Sequence, residues 1–115
     1  MDIYEEAARL AEQIHESDQV QTYQRLRDEV MKDPGNKKLI EHYKEMQFEA
    51  QKQMMAGQEP QPELMDKLTK MGEVLNFNPK VTEFFAAEYN MRMLAHDMLK
   101  IIADACGLED NWLEE

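Results

Sequence analysis

The stretch NPKVTEFFAAEYNMRMLAHDMLKIIADACG, residues 78–107, is where the fold is decided. It opens on Asn78-Pro79, a capping side chain followed by a ring suited to the first helical turn, and closes on Gly107, which stops a helix. Between them apolar residues recur at three- and four-residue spacing through Val81, Phe84, Phe85, Met91, Ala95, Met98, Leu99, Ile102 and Cys106. The spacing predicts one helix from about Pro79 to Cys106, 28 residues long. At 1.5 Å per residue such a helix spans about 42 Å. A compact protein of this length is only about 34 Å across. The helix is therefore expected to overhang its own core, which calls for an elongated molecule or a partner over the excess.

The same punctuation stands upstream. Asp33-Pro34 repeats the cap-and-proline device, and the helix it starts runs to about Ala56 on a stripe of Leu39, Ile40, Tyr43, Met46, Ala50 and Met54. Gly57 ends it, Gly57 to Pro62 is the one clear loop, and Leu64, Met65, Leu68, Met71 and Leu75 mark the next helix. At the front, Asp2 with Glu5 forms a capping box for a stripe of Ile3, Ala7, Leu10, Ala11 and Ile14. Ser17 is a second N-cap, followed by Val20, Tyr23, Leu26 and Val30, so residues 2–32 form either one bent helix or two. At an offset of 45 the pattern of a short helix then a long one recurs, with Asp33-Pro34 aligned on Asn78-Pro79. The pattern is either an internal repeat or the match that any two amphipathic helix pairs would give. The expected fold is all-α: an elongated antiparallel helical bundle of four to five helices with a long C-terminal helix. Residues 1–107 make a single helical domain and 108–115 an acidic tail, in which Trp112-Leu113 either docks on the bundle or anchors a partner, or the tail is disordered.

Composition agrees. Twelve β-branched residues among 115 are too few for a sheet-rich fold, while 43% hydrophobic content is too high for a disordered chain. Thirteen basic against 24 acidic residues leave a net charge of −11, which opposes the phosphate attraction on which nucleic-acid binders depend. Lys37-Lys38 is the only adjacent basic pair, so no direct nucleic-acid binding is expected. The acidic start Met1-Asp2-Ile3-Tyr4-Glu5-Glu6 lacks the basic-then-apolar form of a secretory leader, and the longest apolar run is Phe84-Phe85-Ala86-Ala87. With a single cysteine, no internal disulfide is possible, and a cytoplasmic location with no membrane partner is expected.

Catalysis and metal binding find no support in the sequence. There is no GxSxG, phosphate-cradling glycine loop, HExxH or CxxC. Glu12 and His15 form a lone ExxH, whereas a di-metal bundle needs two such motifs and two further glutamates. Neither His42 nor His96 has a glutamate three residues before it, so no catalytic residue, metal ligand or cofactor is expected. Cys106 reads as a small buried hydrophobe, the alternative being a thiolate shared with another chain. Its place at a helix C-terminus disfavours the thiolate, so inertness is expected.

Two features point toward protein contacts. Glu88 and Arg92 fall inside the apolar arc of the last helix, four residues apart and in the favourable order. They form a partly buried structural ion pair, pair separately with other helices, or mark where the stripe meets the surface. Phe48 and Met55 lie off the main stripe of their helix, as do Ala86, Tyr89 and Met93 on the last one. Helices apolar on two sides are central in a fold or covered by a partner, and Phe48, Met55, Tyr89 and Met93 are the candidate interaction residues.

The block MQFEAQKQMMAGQEP, residues 46–60, resembles the signature of the YlbF/YmcA family of small bacterial helical proteins. Asn78-Pro79-Lys80-Val81 through Ala87-Glu88 to Lys100-Ile101-Ile102 is similar to the family's C-terminal helix, and Asp33-Pro34 and Asp2-Ile3-Tyr4 fit as well. The resemblance implies an all-α fold, homo-oligomerisation, no catalytic activity and regulatory roles in Gram-positive bacteria, among them competence, sporulation, biofilm formation and RNA processing. Family paralogues are implied as further partners, and some members have no assigned role. Clusters of iron and sulfur occur in some family complexes; Cys106 alone, without a Cys-rich tail, implies none here. A promiscuous holdase with a Met-rich contact face is the other reading of the ten methionines.

Overall fold

The computed structural model describes residues 2–109, and these contain five α-helices: α1 Ile3–Glu16, α2 Asp18–Met31, α3 Pro34–Met55, α4 Pro62–Asn76 and α5 Pro79–Cys106. The Trp112-Leu113 pair and the acidic end of the tail lie outside the described residues. Each boundary has a local cause. The Asp2 carboxylate accepts from the Tyr4 amide at 3.1 Å, and that of Asp33 from Gly35 and Asn36 at 2.8 and 3.4 Å. Asn78 caps α5 through the Lys80 amide at 3.0 Å. Gly57 and Gly107 take the left-handed conformation, φ +80° and +75°, that closes α3 and α5.

Ser17 settles the open question about residues 2–32 in favour of two helices. Its hydroxyl donates to the Ile14 carbonyl at 2.6 Å and accepts from the Val20 amide at 3.4 Å, so one side chain ends α1 and starts α2. Gln21 adds a bond from its side-chain amide to the His15 carbonyl at 2.6 Å. Because Asp33 satisfies two otherwise unpaired amides of α3, Asp33→Ala should lower stability by about 1 kcal/mol. Urea denaturation at unchanged m-value measures it.

The helices group into two compact units, residues 24–85 and residues 1–23 with 86–115. In the first, α3 and α4 form an antiparallel hairpin. The Gln53 side chain accepts from the Gln61 amide at 3.0 Å beside the loop, while Gly72 lies against the Tyr43 ring nearer the other end. The core of this unit is Leu26, Val30, Ile40, Met46, Ala50, Leu75, Val81 and Phe84, with Ile40, Val81 and Phe84 closed off from solvent. Phe85 stands between Phe84 and Tyr43, ring centroids 5.7 and 6.1 Å away, and the Lys44 ammonium lies 5.5 Å from the Phe84 ring. Met54, expected on the α3 stripe, is exposed beyond this core.

One ion pair ties α5 to α2 within the same unit. The Lys80 ammonium donates to Glu29 at 2.9 Å, and Arg25 approaches the other carboxylate oxygen at 3.3 Å. The Lys80 hydrogen bond, then its charge, holds the Glu29 carboxyl below its ordinary value of 4.5. A carboxyl depressed in the folded state stabilises the fold above its unfolded pKa, and this contribution is lost as pH falls through the folded value. Glu29→Gln should therefore destabilise the protein at neutral pH and match the wild type once both are below the carboxylate range. Thermal melts across acidic pH read the convergence.

The second unit holds α1, the start of α2 and α5 from Ala86 onward. Val20 and Ala103 are its buried apolar residues. The helix α1 buries none, although Ile3, Ala7, Leu10, Ala11 and Ile14 line one face of it. A stripe that the sequence marks for a core is thus left largely open.

Candidate interaction surface

Among the described residues no three His, Cys, Asp or Glu side chains gather as a metal site. The clefts are shallow. One of about 290 Å³ lies in the second unit beside Thr22, Asn90 and Met91. Another of about 430 Å³ runs along the α3–α4 hairpin past His42, Glu49, Gln53 and Lys67. His42 faces Glu45 at 4.0 Å, an exposed pair one turn along α3. His15 and Glu12 sit on the exposed length of α1. No helix among the described residues is long and apolar enough to cross a membrane.

What the surface offers is apolar area. Phe48 and Met55 project from α3 at 62% and 77% exposure, and Lys52 lies 5.6 Å from the Phe48 ring. Tyr89 and Met93 are exposed on α5. The pairs belong to different units, Phe48 and Met55 to the first and Tyr89 and Met93 to the second. Phe77, not singled out by the sequence, is the most open large apolar residue described, at 86%. It precedes Asn78 in the turn from α4 to α5, with its amide bonded back to the Val74 carbonyl at 3.3 Å. A phenylalanine off the stripe and directly before a cap-and-proline turn is the signal that could have marked it.

The Arg92 guanidinium donates to Glu88 at 2.8 Å within α5. The Glu88 side chain is 13% exposed and that of Arg92 67%, so the carboxylate sits against the helix surface and the cation reaches solvent. Beyond the pair, Ala95, Leu99, Ile102 and Cys106 are exposed. Cys106, expected as a buried hydrophobe, is thereby corrected: it lies in the last turn of α5, on a part of the stripe that no described element covers. Val81 and Phe84, on the same arc nearer the N-terminus of α5, are buried.

Over residues 3–106 the chain matches the family model described as "Control of competence regulator ComK, YlbF/YmcA". It is 31% identical to a UPF0342 protein of Desulfitobacterium hafniense, across 96% of this chain and 94% of that one. With a UPF0342 protein of Halothermothrix orenii it shares 30% identity, across 89% and 86%. In structure it is similar to a protein of unknown function (DUF964) from Bacillus stearothermophilus, with a TM-score of 0.75 over 91% and 92% of the two chains. At 18% identity that likeness bears on the fold alone, and it agrees with an all-α chain of five helices ending in a long one.

Proposed function

Because the chain belongs to the YlbF/YmcA family of competence-control regulators, we propose that it is a non-enzymatic cytoplasmic adaptor that works by self-association and by binding other proteins, family paralogues among them. The observation that carries this reading is α1: an amphipathic helix with an apolar stripe and no buried residue. Leaving such a stripe in water forfeits about 25 cal/mol for each Å² that a partner could cover. The processes it would regulate are those of the family in Gram-positive bacteria: competence, sporulation, biofilm formation and RNA processing. With a net charge of −11, any part in RNA processing runs through a protein partner rather than through RNA contact.

Co-purification of tagged full-length chain from a native lysate tests the reading. A few partners at stoichiometric yield are expected, and they should persist in nuclease-treated lysate. The exposed Met54, Met55, Met65 and Met93 favour a second reading, a promiscuous holdase. Many substoichiometric clients would replace the adaptor with that holdase, and phosphate- or nucleotide-dependent capture of RNA would overturn both.

A further inference from the structure

We propose that one open face of α5, formed by Asn90, Met93, Asp97, Ile101 and Asp104, docks a basic amphipathic helix of a partner protein. The proposal rests on the adaptor reading and gives its partner a chemistry. At about 100° per residue these five side chains fall within an arc of about 80°. No basic residue of α5 falls in that arc, and Lys100 borders it. All five are exposed, Met93 at 41% and Ile101 at 63%. From Asn90 to Asp104 the face runs about 21 Å at 1.5 Å per residue, roughly four helical turns.

Charge decides the occupant. Apolar and acidic residues alternate along the face as Met93, Asp97, Ile101 and Asp104, so a segment that covers the apolar pair must also answer the carboxylates. The unit that carries the face is the acidic one. Residues 2–23 and 86–109 hold ten carboxylates and three basic side chains, a net −7, whereas residues 24–85 hold eleven and ten, a net −1. Two of those three cations are engaged within the unit, Arg9 at 3.5 Å from Glu6 and Arg92 at 2.8 Å from Glu88. A partner helix with Lys or Arg at helical spacing between apolar side chains meets both demands, and the field of the unit draws it in. A second copy does not: two such units set negative charge against negative charge, and the other unit has no positive excess to offer. The same carboxylates repel phosphate-bearing partners.

The cleft at the Asn90 end gives such a helix an anchor. Its walls are Asp18, Gln19 and Thr22 of α2 and Ala87, Asn90 and Met91 of α5, all in this unit, around about 290 Å³. The Asp18 carboxylate, the amide carbonyls of Gln19 and Asn90 and the Thr22 hydroxyl are acceptors, while Ala87 and Met91 are apolar. An arginine side chain fits that pairing: its guanidinium brings several donors and a fixed charge, and its methylene stem lies along the apolar wall.

Three labelled synthetic helical peptides test the face by fluorescence anisotropy against the full chain. One carries arginines and leucines on one side, the second glutamate for each arginine, and the third serine for each leucine. The first should bind, with affinity falling as salt rises, and the other two should bind about tenfold more weakly or worse. Asp97→Lys with Asp104→Lys should weaken the first peptide about tenfold or more, and Glu41→Lys with Glu45→Lys, the same charge change on exposed positions of α3, about twofold or less. Met93→Ser with Ile101→Ser should also weaken it while leaving the helical circular dichroism unchanged. No binding of the first peptide, or equal loss from the two charge-reversed pairs, overturns the proposal. So does a wild-type dimer that Ile101→Asp dissociates, because a second copy would then cover the face. If the Asp97→Lys, Asp104→Lys chain keeps every stoichiometric partner in the lysate, the face falls and the adaptor reading stands. If the peptide binds as expected and the lysate yields no partner, the adaptor reading falls and the face stands.

Discussion

Replacing Phe84 with alanine should lower the unfolding free energy by about 3–5 kcal/mol, the range for deleting a fully buried aromatic ring. Phe84 is 1% exposed, with Phe85 on its own helix 5.7 Å away by ring centroid and Lys44 of α3 above its face, in the core of the 24–85 unit. Removing the ring loses its transfer energy and leaves a cavity that helices capped at both ends cannot readily close. The measurement is chemical denaturation followed by circular dichroism. For a domain whose whole stability is about 5–15 kcal/mol, the loss should appear as a large fall in the denaturation midpoint at unchanged m-value. A loss below 1.5 kcal/mol would mean that the core around Phe84 can collapse into the space.

The second large effect is a contrast between two positions of one helix face. Val81→Asp should abolish the folded state of the 24–85 unit, because Val81 is fully buried and a carboxylate there has no cation or donor provided for it. The cost is about 4 kcal/mol or more, in the range reserved for unpaired buried charge. Leu99→Asp, 18 residues further along the same stripe, should leave the helical signal intact, since Leu99 is already 39% exposed. Equal damage from the two substitutions would refute the division of α5 into a core half and an open half.

That contrast shows how far the sequence reads and where it stops. The helix ends were legible because their causes are local: Asp33-Pro34 and Asn78-Pro79 cap and pre-set the first turns, and Gly57 and Gly107 accept a positive φ. The offset-45 pattern returns as helices of 14 and 22 residues followed by helices of 15 and 28. Its burial does not repeat: Ala50 is buried and the aligned Ala95 exposed, Phe84 is buried and the aligned Leu39 exposed. Of the candidate surface, Phe48, Met55, Tyr89 and Met93 could be named in advance because they lie off the main stripes. Phe77 carried a weaker mark, its place before the Asn78-Pro79 turn, and Leu99 and Ile102 carried none, because they lie on the stripe itself.

By itself the sequence determined the class, most of the helix ends and the face each helix offers, leaving residues 2–32 as one helix or two. These follow from backbone sterics, capping and a period of 3.6 residues, all of which act within a few residues. Only the tertiary structure decided which length of each face is covered. Periodicity is the same at Val81 and at Leu99; burial differs because Val81 lies in the core of the 24–85 unit, while Leu99, in the other unit, is left 39% exposed. The same holds for α1, whose stripe is as regular as any in the chain and buries no residue.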